Sequence, residues 1–146
     1  MRTILSTLVA ITFAAALTSA ADIKSTTRLQ ITTSGTPARS RDITDARVLA
    51  LSNVFAGTFI DQPVDIPNYQ ALYTISFDIQ TLQGIKADAY VVHYAIDGAG
   101  QAFVYLPGRG ESGYRGNVST IIRDGLDGRW HRASADWSAA IQPYLP

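Results

Sequence analysis

The chain has 146 residues, 47% of them apolar, with 12 basic and 12 acidic side chains and no cysteine. That is one domain of ordinary apolar content. The missing thiol excludes a disulfide-stapled scaffold, a cysteine-ligated zinc or iron–sulfur site and a thiol nucleophile, and the charge balance excludes the overall basicity of a nucleic-acid binder.

Arg2 precedes an uncharged, largely apolar run from Ile4 to Leu17, and Thr18-Ser19-Ala20-Ala21 supplies small residues for cleavage after Ala20 or Ala21. This is the pattern of a secretory signal peptide over residues 1–21, the run being shorter than the roughly 20 residues that span a bilayer. No cysteine follows it for lipid attachment, and no later stretch is apolar enough to cross a membrane. The expected product is a secreted or periplasmic chain stabilised by its core alone.

Residues 22–43 read as a polar arm and linker. Ile23, Leu29 and Ile31 would make one strand before the break at Ser34-Gly35-Thr36-Pro37. Residues 44–146 read as a single β-rich domain. Thr44-Asp45 caps a short helix through Val48, Leu49 and Leu51, with Gly57 after it. Gly57-Thr58-Phe59 ahead of the strands resembles the opening of small ligand-binding β-barrels, a stretch that carries over no residue and no activity.

The strongest signal is the alternation of Tyr73, Ile75, Phe77 and Ile79 with Thr74, Ser76, Asp78 and Gln80, the pattern of a half-buried strand. A turn at Gln83-Gly84 would pair Phe77 with Tyr90, Ile75 with Val92 and Tyr73 with Tyr94. A second turn at Asp97-Gly98-Ala99-Gly100 would pair Ile96 with Gln101, Tyr94 with Phe103 and Val92 with Tyr105. Both registers put Tyr73, Phe77, Tyr90, Tyr94, Phe103 and Tyr105 on one face. That face is expected to be core, with the tail helix over part of the mixed opposite face. Strands are also expected over Asn117–Arg123 and Arg129–Ala133. Ser134 then caps a helix carrying Trp137, Ala140, Ile141 and Tyr144, which Pro143 stops. The fold class is therefore mainly β: an antiparallel meander of about five or six strands, barrel-like or a sandwich, with a short C-terminal helix and a short N-terminal one.

The chemistry gathers in residues 107–132, which hold five arginines against Glu111, Asp124 and Asp127. Four glycines between Pro107 and Asn117 let the backbone approach a ligand. Arg109, Glu111, Tyr114, Arg115, Asn117, Arg123, Trp130 and His131 form the candidate binding set. The expected partner is an anionic ligand held by guanidinium forks, a glycan or an envelope protein. The glycine spacing fits neither a phosphate loop nor a dinucleotide fingerprint.

His93, Glu111, Arg115 and His131 form an alternative catalytic set, the residue types of a small secreted hydrolase acting on a phosphodiester or polysaccharide. The histidines lack metal-ligand spacing, and neither metal nor cofactor is expected. A third reading makes the chain a subunit of an envelope assembly, its arm pairing with a partner's sheet edge. The leading expectation is an exported binding protein using the 107–117 loop and the hairpin after it.

Overall fold

The computed structural model describes residues 25–53, 55–115 and 125–146. The expected signal segment, the expected strand Asn117–Arg123 and the candidate residues Asn117 and Arg123 lie outside them. Among the described residues, seven strands form one antiparallel sheet: β1 (Thr26–Thr33), β2 (Ser40–Ile43), β3 (Phe59–Val64), β4 (Tyr69–Thr81), β5 (Gly84–Asp97), β6 (Ala102–Leu106) and β7 (Arg129–Ala133). Their spatial order is β2-β1-β4-β5-β6-β7-β3, and the sheet does not close into a barrel. Helix α1 spans Ala46–Ser52 and helix α2 spans Ala135–Ile141.

The segment read as arm and linker enters the sheet. β1 lies between β2 and β4, pairing Leu29 with Phe77 and Ile31 with Ile75, and both its apolar residues are fully buried. Its first residue is tied down twice: Thr26 donates its N–H to Asn53 Oδ1 (2.7 Å) and its hydroxyl to the Ser52 carbonyl (2.8 Å). β2 carries one apolar residue, Ile43, and buries it completely. With so little alternation to read, the sequence pattern under-reports a strand that tertiary pairing stabilises.

The first hairpin has the expected pairs: Phe77 with Tyr90, Ile75 with Val92 and Tyr73 with Tyr94. Its turn, however, is Leu82-Gln83, since Thr81 pairs with Gly84. A bulge repairs the difference, with only Asp78 on β4 facing Ala87, Asp88 and Ala89 on β5. Asp88 takes a φ of 46° there, and its N–H donates to Asp78 Oδ1 at 2.9 Å. The bulged residue thus finds a partner in the opposing side chain.

The second hairpin differs by one residue. Asp97 faces Gln101, donating its N–H to that carbonyl (3.0 Å), and its carboxylate accepts from the N–H groups of Ala99 and Gln101 (both 2.9 Å). Gly100, at φ 80°, supplies the left-handed residue such a loop needs. The pairs are therefore Tyr94 with Val104 and His93 with Tyr105, and a one-residue slip exchanges the faces of a whole strand. Phe103 and Tyr105 leave the expected aromatic face, and Val104 and Leu106 replace them in the core.

Both helices pack on that core face. Val48, Trp137 and Ile141 meet Leu29, Ile31, Ile75, Phe77, Val92, Tyr94, Val104 and Leu106. Asp45 caps α1, accepting the Arg47 N–H at 2.8 Å. Trp137 stacks on Phe77 (6.1 Å, 16°), meets Tyr94 edge-on and donates its indole N–H to Ser52 Oγ (3.0 Å). The tail helix therefore lies on the aromatic face, not the mixed one. The aromatic face wins it because Phe77 and Tyr94 offer ring surface with Ser138 Oγ 2.6 Å from the Tyr94 hydroxyl, a dry apolar site with its polar tips satisfied.

Candidate functional site

Among the described residues, the other face of the sheet carries no helix. Toward β2, β1 and β4 it is polar: Arg28 bridges Asp78 (2.8 Å) and Asp42 (3.2 Å), and Gln30 donates to Asp42 (3.0 Å). Toward β5, β6 and β7 it becomes aromatic. His93, Tyr105 and Trp130 sit opposite one another on three adjacent strands because His93 pairs with Tyr105 and Tyr105 with Trp130. Their ring centroids are 6.0 Å and 5.2 Å apart, the first pair nearly parallel. The connection from β3 to β4 carries the chain past three strands and brings Tyr69, 41% exposed, to 5.9 Å from Trp130. His93, Tyr105 and Trp130 thus step across three strands, and Tyr69, the first residue of β4, joins them at Trp130.

Beside Trp130 lies an open groove of about 620 Å³, lined by Pro63, Val64, Asp65, Ile66, Gly128, Arg129 and Trp130. Ile66 stands at 78% exposure on it. Among the described residues, the carboxylate of Asp65, the guanidinium of Arg129 and the indole N–H of Trp130 have no hydrogen-bond or ion-pair partner. Polar groups without partners around an apolar floor are the usual make-up of a ligand groove.

The glycine-rich loop borders the row through Glu111. One carboxylate oxygen accepts the Tyr105 hydroxyl (2.8 Å) and the other the Gly108 N–H (2.8 Å), while the Glu111 N–H closes a turn on the Gly108 carbonyl. A Cβ at Gly108 would stand 3.1 Å from Gly128 Cα, so glycine at this position lets the loop lie against the start of β7. Burial, then the Glu111 bond and charge, and last the charge of Asp127, push Tyr105 up to about 12. Burial lowers the pKa of His93 below the ordinary histidine value, and the Glu111 charge opposes that shift. His93 Nδ1 is 3.3 Å from Thr74 Oγ1.

The candidate residues divide accordingly. Trp130, Glu111 and His93 meet on the helix-free face. Tyr114 is half-buried, its N–H bound to the Glu111 carbonyl; Arg115 turns back onto the Ser112 carbonyl (3.1 Å); Arg109 is exposed without a partner among the described residues. His131 belongs to the core face. It is fully buried, opposite Val104 and 5.1 Å from the Phe59 ring, with Nδ1 3.0 Å from the Ile60 carbonyl and Nε2 2.9 Å from the Leu126 carbonyl. Both ring nitrogens lie against backbone carbonyls, so His131 packs between β3 and the Leu126 turn and is turned away from the groove. Sequence reasoning passed over Tyr69, Asp65 and Ile66, and it counted Arg129 among the five arginines of residues 107–132 without placing it in the candidate set. An apolar Ile66 between Pro63 and Pro67, in a stretch read as loop, was the available signal.

Among the described residues no helix is long and apolar enough to cross a membrane, and no cluster of three metal-ligating side chains occurs. Compared with protein-family models, curated proteins and solved structures, the chain finds no match in any of the three.

Proposed function

We propose that the chain is an exported binding protein whose contact surface is the helix-free face around Trp130, bordered by the 107–115 loop. The observation that carries this reading is the row Tyr69–Trp130–Tyr105–His93 opening onto a groove whose polar groups are unpartnered. Aromatic side chains with a wet edge, set among unsatisfied donors and acceptors, favour recognition.

A hydrolase would rest on His93 and Glu111 alone, since His131 is on the other face and Arg115 is turned into its own loop. Glu111, with both oxygens occupied, supports the loop's shape more than proton transfer. The assembly reading loses its motive, because the segment that was to reach a partner's sheet is β1 and β2 of this one.

The test is capture from envelope extract by the immobilised mature chain, comparing wild type with Trp130→Ala and with the pair Arg109→Ala and Arg115→Ala. The proposal expects Trp130→Ala to lose the captured material. Capture that follows the arginine pair and ignores Trp130 moves the surface onto the loop. Capture that neither variant reduces refutes the proposal.

A further inference from the structure

We propose that the Trp130 groove takes an internal segment of a neutral polysaccharide, laid across the strands over Trp130, Tyr105 and His93. This deepens the binding reading above and depends on it.

Three features select the ligand. First, donors and an acceptor stand side by side and unused in the groove: the Arg129 guanidinium and the Trp130 indole N–H donate, and the Asp65 carboxylate accepts. A hydroxyl both donates and accepts, so a chain of hydroxyl-bearing rings satisfies all three. A proline-rich peptide has no N–H to offer Asp65 at its prolines. A phosphodiester chain would meet Asp65, Glu111 and Asp127 along the row, an unfavourable approach for an anion.

Second, the surface alternates apolar and polar as a sugar does. Trp130, Tyr69, Val64 and Ile66 supply area for the C–H faces of the rings, and ring stacking tolerates variation in what is stacked. The charged side chains that the structure places on it are of both signs, Arg129 and Asp65 in the groove and Glu111 on Tyr105, so no strong preference for a charged ligand arises. A neutral ligand follows.

Third, the site is open. The groove is a cleft at the β3–β7 margin, and the ring row continues from it over β6 and β5. An open cleft with further contacts beyond it admits the middle of a chain, and each added ring finds another partner. Affinity should therefore grow with oligomer length.

The experiment applies the mature chain to an array of neutral oligosaccharides covering linear glucans, mannans, xylans, galactans and chitin fragments. Galacturonate oligomers, a proline-rich peptide and an oligothymidylate are included beside them. The best neutral glycan is then titrated calorimetrically as monomer through hexamer. The expected result is neutral-glycan binding that strengthens with length and is unchanged by raising salt, since no ion pair is screened. Trp130→Ala should weaken it about tenfold or more, the loss of one stacked ring. Asp65→Asn, at an exposed position, should weaken it while leaving the melting temperature in place. Trp130-dependent binding of galacturonate, peptide or oligonucleotide instead overturns the neutral-glycan inference but keeps the binding surface. Binding that ignores Trp130 overturns both. No neutral glycan held above background overturns the inference.

Discussion

The Tyr105 hydroxyl donates to Glu111 Oε1 at 2.8 Å, and this bond joins the ring row on the sheet to the glycine-rich loop. A sheet side chain and a loop side chain thereby hold each other in place, with the Gly108 N–H completing the carboxylate's shell. The loop's position is therefore coupled to the groove wall through Gly108, which lies against Gly128, while Arg115 is held on the Ser112 carbonyl.

Glu111→Gln should move two titrations in the same direction. The Glu111 charge and hydrogen bond raise the Tyr105 pKa, and its charge raises that of His93 against burial. Without the charge, Tyr105 titrates below its present value of about 12, and His93 titrates lower than in the wild type. Tyrosinate absorbance and histidine NMR read the two shifts. An upward shift of either contradicts the described contacts.

His93 also makes stability depend on pH. Its folded pKa lies below the ordinary 6.5, so in acid the unfolded chain takes up this proton first. The contribution is fully present above 6.5 and is lost as pH falls through the folded value. Denaturant midpoints of His93→Gln should fall less than those of the wild type between neutral pH and that lower range. Parallel pH profiles for the two proteins would contradict the assignment.

The core should respond sharply to two changes. Val92 is fully buried in the core beside Ile75, and Val92→Asp leaves an unpaired carboxylate there, enough to unfold a domain whose total stability is about 5–15 kcal/mol. Trp137→Ala removes the ring between Phe77 and Tyr94 and the partner of Ser52, at a cost of about 3–5 kcal/mol. Circular dichroism and thermal melting measure both. A native melt for Val92→Asp would mean that the face is exposed.

Gly100→Ala tests the second hairpin. At φ 80° an L-residue with a Cβ is strained, at a cost of about 1–2 kcal/mol. Gly35→Ala, where a Cβ meets nothing within 4 Å, serves as the control. Equal melting temperatures for the two variants would contradict the described turn.

The sequence made β4 and β5 legible because seven alternating positions agree on one buried face, and no small error in the turn can reverse that. The turn was misread as Gln83-Gly84, yet the pairs survived because the bulge at Asp88 restores the count. No bulge compensates in the next hairpin. There a loop with one more residue turned Phe103 and Tyr105 to the other face, while Tyr73, Phe77, Tyr90 and Tyr94 kept the core reading. Such a slip depends on the conformations of Asp97 and Gly100, which periodicity does not encode. β1 was legible as a strand from Leu29 and Ile31, whereas β2 was hidden: on this edge strand Ser40, Arg41 and Asp42 are exposed, and Ile43 alone carries the burial. In the candidate site, Trp130 and Glu111 were legible as residue types near glycines. His131 was grouped with them by nearness in sequence, although neighbours along a strand face opposite ways. Asp65 and Ile66 were missed because the topology that carries the β3–β4 connection past Trp130 has no local signature.

The most direct test of the binding surface is an NMR titration of the isotopically labelled mature chain with the best-binding neutral hexasaccharide. The account predicts that the Trp130 indole N–H and the amides of Val64, Asp65, Ile66, Gly128 and Arg129 shift most, with smaller changes at Tyr105 and His93 and none at Trp137 or Ile141. Shifts centred on the helices or on the Leu82-Gln83 hairpin tip, with Trp130 unmoved, would contradict it.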